Sequence, residues 1–331
     1  MVKITKNQLT AMLLITDIFA LLCFQGQISL VSVAGFITGI LIQFIMSLPL
    51  IKLYNSDNII NNNTKFVQVI YLIYILMWGG VLFSILWRTS DAIHIPYESL
   101  NPVYRKLLIA GLIAIVCLYA SSTGLKAVSR SAVIAVFAGI ISLLIVTISA
   151  MFSSDWNNLL TTKTSNTFLS EISRGFFLSG GLGSFAVFLG YTKGNPMKNT
   201  IYYFITKIIS TVSITVSSIL VAGGIMKITE FPILTASQLS QPFPVQRIDS
   251  LFLIIFAVFA VFSITIQSIA SSELLKKIFP DFKHLRTTSV LLIMIGMAFI
   301  FSGKNNSFIN IIAIGTILFI LPSIIMIKKR H

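Results

Sequence analysis

The stretch Phe177-Leu-Ser-Gly-Gly-Leu-Gly-Ser-Phe185 lies inside an apolar segment, residues 172–192, that is long enough to cross a bilayer. Gly180, Gly181 and Gly183 occupy three of its four central positions, between Ser179 and Ser184. Each glycine costs a helix about 1 kcal/mol relative to alanine. An interrupted backbone in hydrocarbon also leaves polar groups that each cost several kcal/mol unless something satisfies them. Two readings follow. In one, the segment is broken at mid-depth and its freed amides and carbonyls line a binding site. In the other, Gly175, Ser179 and Gly183 form a small-residue ridge at four-residue spacing for close helix packing. Gly180 and Gly181 lie off that ridge, which favours the break.

The remaining chain agrees with a membrane setting. Of 331 residues, 56% are hydrophobic and only 10% charged, with a mean hydropathy of +0.92. A soluble domain carries about a quarter charged residues. Ten apolar segments of about 17–25 residues can be marked, near 8–24, 28–51, 66–88, 104–121, 128–152, 172–192, 200–226, 248–272, 287–303 and 308–327. No small-x-small cleavage site follows the first, so it reads as a retained span. The chain is expected to form one transmembrane domain over residues 1–331, all α-helical. Five plus five segments also imply two inverted halves, about 1–152 and 153–331, as in many secondary transporters. In that architecture the first helix of each half, here the first and sixth, is interrupted.

The formal charge of +14 invites a nucleic-acid reading, but its distribution speaks for topology. Fifteen of the 24 basic residues fall at the N-terminus, in the even-numbered connections and at the C-terminus, among them Lys3, Lys126, Arg130, Lys276 and Lys329. Eight fall in the odd-numbered connections, and Lys207 lies within a span. Positive residues stay on the cytoplasmic side, which places both termini there, with the bilayer as neighbour and no nucleic acid as partner.

Polar residues within spans mark the candidate site. Asp17, in LLITDIFALL (13–22), is a carboxylate at depth and a functional candidate by default. It suits proton coupling or the amino group of a substrate. Equally, it can form a buried pair with Lys207, the only cation within a span away from its ends. Ser263, Gln267 and Ser271 form a polar stripe at four-residue spacing, facing either a ligand or a neighbouring helix. Tyr74, with Tyr71 and Trp78, either lines a solute path or packs. The substrate-binding set is therefore Asp17, Tyr74, Ser179, Gly180, Gly181, Gly183, Ser184, Ser263 and Gln267. Cys23 and Cys117 lie in apolar segments and read as buried thiols. His94, His284 and His331 are scattered, so no metal site, cofactor or hydrolytic triad is expected.

Four stretches carry a resemblance to a known family. They are KITKNQLTAMLL (3–14), YASSTGLKAVSR (119–130), DWNNLL (155–160) with Arg174-Gly175, and FPILTASQLSQPFPVQRIDSLFLIIF (231–256). In order and spacing the chain resembles the spore germination permeases, the B-type subunits of nutrient germinant receptors, within the amino acid–polyamine–organocation transporter group. It departs from them in its short QGQ connection (25–27), in the lack of a proline late in the first span, in Ser184 where many members carry an acidic residue, and in Asp17 itself. The resemblance implies a LeuT-like fold of ten helices and a site for a small nutrient, an amino acid first, between helices 1, 3, 6 and 8. It also implies an A-type membrane subunit and a C-type lipoprotein as partners in the inner membrane of the spore. A proton-coupled amino acid or amine permease is the alternative, and neither reading is an enzyme.

Overall fold

The computed structural model describes residues 3–56, 65–92, 101–152, 156–161, 167–178, 180–239, 249–280, 286–301 and 307–328. The regular elements among them are helical, apart from an isolated bridge between Ile4 and Thr192. Among the described residues the first five helices are α1 Lys6–Leu22, α2 Leu30–Ser56, α3 Lys65–Ala92, α4 Pro102–Ser122 and α5 Leu125–Phe152. Two short helices follow, α6 Asn157–Thr161 and α7 Phe168–Gly175, and α7 tightens into a 3-10 turn at Phe176–Leu178. Helix α8 restarts at Leu182–Phe188. Then come α9 Pro196–Ala222, α10 Pro232–Leu239, α11 Asp249–Ile278 and α12 Arg286–Phe301. The last segment is α13 Ser307–Gly315 and α14 Leu321–Lys328, joined through a π turn at Thr316–Ile320.

Six helices among the described residues are long and apolar enough to cross a membrane: those within α2, α3, α4, α5, α9 and α11. The other four apolar segments are short or divided. Helix α1 has 17 residues and α12 has 16, the segment around residues 168–191 is broken, and the last is split by its π turn ahead of Pro322.

Local chemistry sets the helix ends. Thr5 and Gln8 form a reciprocal capping box: the Thr5 hydroxyl accepts from the Gln8 amide at 3.3 Å, and the Gln8 side chain accepts from the Thr5 amide at 2.9 Å. Asn101 and Asn195 cap α4 and α9, each followed by proline at the first helical position, where its missing N–H costs nothing. Gly124, at φ +83°, makes the tight turn from α4 into α5.

The interruption expected in the first apolar segment is absent. Helix α1 runs unbroken from Lys6 to Leu22, because LLITDIFALL contains neither glycine nor proline and nothing opposes continuous i→i+4 bonding. Every residue from Leu9 to Leu22 is buried, Asp17 included. Helix α1 is thus the core of the molecule, enclosed by α5, α8, α9 and α11. Helix α4, by contrast, leaves Leu112, Ile115 and Tyr119 largely exposed, as a helix facing lipid does.

Helices α2 and α7 meet through small residues. A Cβ on Gly35 would stand 2.5 Å from the Glu171 Cβ and 2.8 Å from its backbone carbon. On Gly39 it would stand 3.1 Å from the Ile172 carbonyl oxygen, and on Gly175, 3.1 Å from the Phe36 Cα. The stretch Gly35-Phe-Ile-Thr-Gly39 is thus a small-xxx-small face that lets two backbones touch. Above it, Arg174 pairs with buried Glu171 at 2.6 Å and donates to the carbonyls of Gln25 (3.0 Å) and Gln27 (2.9 Å). The Gln25 side chain accepts from Arg88 at 3.0 Å and donates to Glu230 at 3.2 Å. One glutamine therefore joins the end of α1 to α3 and to the segment before α10. At the opposite end of α1, the Ile4 amide donates to the Tyr191 carbonyl, and the Ile4 carbonyl accepts from the Lys193 amide, both at 2.9 Å.

Candidate functional site

The 3-10 turn ends at Leu178, Gly180 and Gly181 stand in a turn, and α8 begins at Leu182; side chains from other helices answer the polar backbone groups here. The Leu178 carbonyl accepts from the Lys207 ammonium of α9. The Gly180 carbonyl accepts from the Gln267 amide of α11 at 2.8 Å. The Gly181 amide donates to Asp17 Oδ1 of α1 at 3.3 Å. One turn earlier, Gln43 of α2 donates to the Gly175 carbonyl at 3.3 Å. The Gly181 carbonyl takes the Ser184 hydroxyl at 2.9 Å, and the Ala186 carbonyl takes the Tyr54 hydroxyl. Four helices thus supply the partners that hydrocarbon cannot, which is the condition for a break at this depth.

The three glycines also pack. None has positive φ; Gly181 sits at −81°. A Cβ on Gly180 would lie 2.7 Å from Trp78 Nε1 and 3.1 Å from Thr16 Cγ2. On Gly183 it would lie 2.7 Å from the Tyr74 ring, and on Gly181, 3.3 Å from the Leu13 carbonyl oxygen. The two readings of FLSGGLGSF therefore coincide. The segment is interrupted, and its glycines are there so that α1 and α3 can lie against the interruption.

Asp17 and Lys207 form an ion pair, Nζ to Oδ1 at 3.2 Å, both almost wholly removed from solvent. Tyr203, one turn before Lys207 on α9, donates its hydroxyl to Asp17 Oδ2 at 2.5 Å. Lys207 also donates to Gln43 Oε1 at 3.2 Å. Its three protons are shared among Asp17, Gln43, the Leu178 carbonyl and, at 3.4 Å, the Tyr203 hydroxyl, while Asp17 receives Lys207, Tyr203 and the Gly181 amide. Each charge is paired and hydrogen-bonded, as buried charges must be.

Of the residues named from the sequence, Asp17, Gly180, Gly181, Ser184, Gln267 and Lys207 converge on the break. Tyr74 stands over Gly183. Ser263 is fully buried on the Gln267 stripe, and its hydroxyl has no hydrogen-bond partner among the described residues; the Ser271 hydroxyl is in the same position. Ser179 lies outside the described residues. Sequence reading missed Tyr203 and Gln43. Gln43 had a visible signal, a lone amide in the apolar run ILIQFIM (40–46). Tyr203 had one only through Lys207, four residues on and so on the same helical face. Among the described residues no three His, Cys, Asp or Glu side chains stand together as a metal set.

No family model and no curated protein matches the sequence. The fold is similar to that of a solved structure, the inward facing conformation of Mhp1, at a TM-score of 0.60 and 14% identity, over 96% of this chain and 76% of that one. At that identity the likeness concerns the fold alone. With six apolar helices of spanning length, it makes this chain an integral membrane protein of LeuT-type fold.

Proposed function

We propose that the chain binds a small nutrient, an amino acid first, where the interrupted sixth crossing meets the first, third and eighth. In this reading it serves as the B-type, nutrient-sensing subunit of a spore germinant receptor, beside an A-type membrane subunit and a C-type lipoprotein in the inner spore membrane. It has ten crossings in two inverted halves, with both termini cytoplasmic. The observation that carries the site is the break at Gly180 and Gly181, where α1, α9 and α11 hold the Gly181 amide and the Leu178 and Gly180 carbonyls, and α2 the Gly175 carbonyl one turn earlier. Support for the receptor role comes from the four stretches that resemble that family, and support for solute handling from the LeuT-type fold. Binding would favour one of two packings of the bundle and pass that shift to the partner subunits.

The buried Asp17–Lys207 pair favours a second reading, a proton-coupled permease for amino acids or amines, since an intramembrane ion pair is a natural proton-exchange point. Reconstitution separates the two. Nutrient binding without net uptake into proteoliposomes, together with a germination defect in Gly180→Ala/Gly181→Ala spores, supports the receptor. Robust uptake driven by a pH gradient, abolished by Asp17→Asn and without a germination phenotype, supports the permease.

A further inference from the structure

The ion pair at the break is complete in itself. Lys207 has an acceptor for each of its three protons and the Tyr203 hydroxyl as a fourth at 3.4 Å, Asp17 has both oxygens occupied, and the pair's other contacts are neutral: Tyr203, Gln43, and backbone groups of Leu178 and Gly181. The Gly181 amide, the group best placed to receive a substrate carboxylate, is already taken by Asp17. A solute reaching this point must therefore displace a bond of the pair. A cation that takes Asp17 leaves Lys207 buried and unpaired; an anion that takes Lys207 strands Asp17. Either outcome carries the large penalty of an uncompensated buried charge. An uncharged solute has nothing that competes with the existing ion pair. A solute bearing both charges replaces each contact in kind at no change in net charge.

Resting on the solute site proposed above, we infer that the ligand is a zwitterion that binds by partner exchange. Its ammonium takes Asp17 with Tyr203, and its carboxylate takes the Lys207 ammonium, prising the internal pair apart. The pair is then a resident stand-in for the ligand. It keeps the site neutral and closed when empty, and it selects for solutes with zero net charge carrying one charge of each sign. Separating Asp17 from Lys207 loosens α1 and α9 from each other, which couples occupancy to helix packing.

The test uses the full chain in nanodiscs and three charge forms of each common amino acid: the free acid as zwitterion, its amide as cation and its N-acetyl derivative as anion. Binding is read by calorimetry and by the shift in melting temperature. At least one zwitterion is expected to bind about 100-fold more tightly than its own amide and N-acetyl forms, the discrimination that stranding one buried charge produces. Asp17→Asn should shift preference to the N-acetyl anion, and Lys207→Gln to the amide cation. The double variant Asp17→Asn/Lys207→Gln, which leaves no charge unpaired and serves as the folding control, should lose discrimination. Equal binding of all three forms by the native chain, or zwitterion preference persisting in the double variant, overturns partner exchange while leaving the solute site standing. Absence of binding by every probe overturns both.

Discussion

At the scale of single residues, the site is governed by two steric facts and one electrostatic fact. The Gly180 and Gly183 positions have no room for a methyl group against Trp78 and Tyr74. Gly183→Ala should cost about 1–3 kcal/mol, the usual penalty for overpacking a filled core, read as a fall in melting temperature in detergent. Gly180→Ala should cost a similar amount, about 1–3 kcal/mol, and Trp78→Phe should recover part of it by removing the indole nitrogen that the new carbon meets. For the ion pair, Lys207→Met alone should destabilise by about 3–5 kcal/mol, because Asp17 is left buried without its cation. Asp17→Asn/Lys207→Met should be markedly milder, and a double-mutant cycle on thermal unfolding measures the difference. Asp17 and Lys207 were legible because charges at bilayer depth are rare. Tyr203 was not, since a tyrosine in an apolar helix is ordinarily packing, and only the fold shows its hydroxyl on Asp17. Gln43 was legible in principle from its isolation among aliphatic neighbours, as was Gly35-x-x-x-Gly39.

Among elements, the informative contrast is between α1 and the α7–α8 segment. Inverted symmetry led to the expectation of two interrupted helices, and only the glycine-bearing one is interrupted. Local sequence prevailed: FLSGGLGSF offers weak helix formers together with polar partners nearby, while α1 carries a capping box at its start and neither glycine nor proline along its length. The break also depends on its external partners. Gln267→Leu should leave the Gly180 carbonyl buried without a donor, at about 1–3 kcal/mol. Amide hydrogen exchange should report the loss as faster exchange at residues 180–184, with α11 unchanged. The α2–α7 contact is stricter still. Gly35→Leu would drive a side chain into the Glu171 backbone, and the expected result is loss of the monodisperse peak in fluorescence-detected chromatography.

For the whole molecule, composition was enough for the membrane class, and segment counting located each long helix. Neither could tell that the last segment turns through a π helix, where the Ile317 carbonyl takes the hydroxyl of Tyr71 of α3, far away in the chain, at 2.8 Å. The basic asymmetry makes a direct prediction of orientation. With buried Cys23 and Cys117 as a silent background, a cysteine at Thr123 should label only from the cytoplasmic face, and one at Thr229 only from the opposite face. Membrane-impermeant maleimide on intact cells and on inverted vesicles checks both.

The pairing of Ile4 with Tyr191 and Lys193 has a mechanical consequence. Together with the Asp17 bond to Gly181, it fastens the α8 segment to α1 and the residues just before it at two places, about three and a half helical turns apart in sequence. Two rivets suppress relative rotation, so α1 and α8 swing as one lever. Any bending between α7 and α8 must therefore carry α1 along with α8.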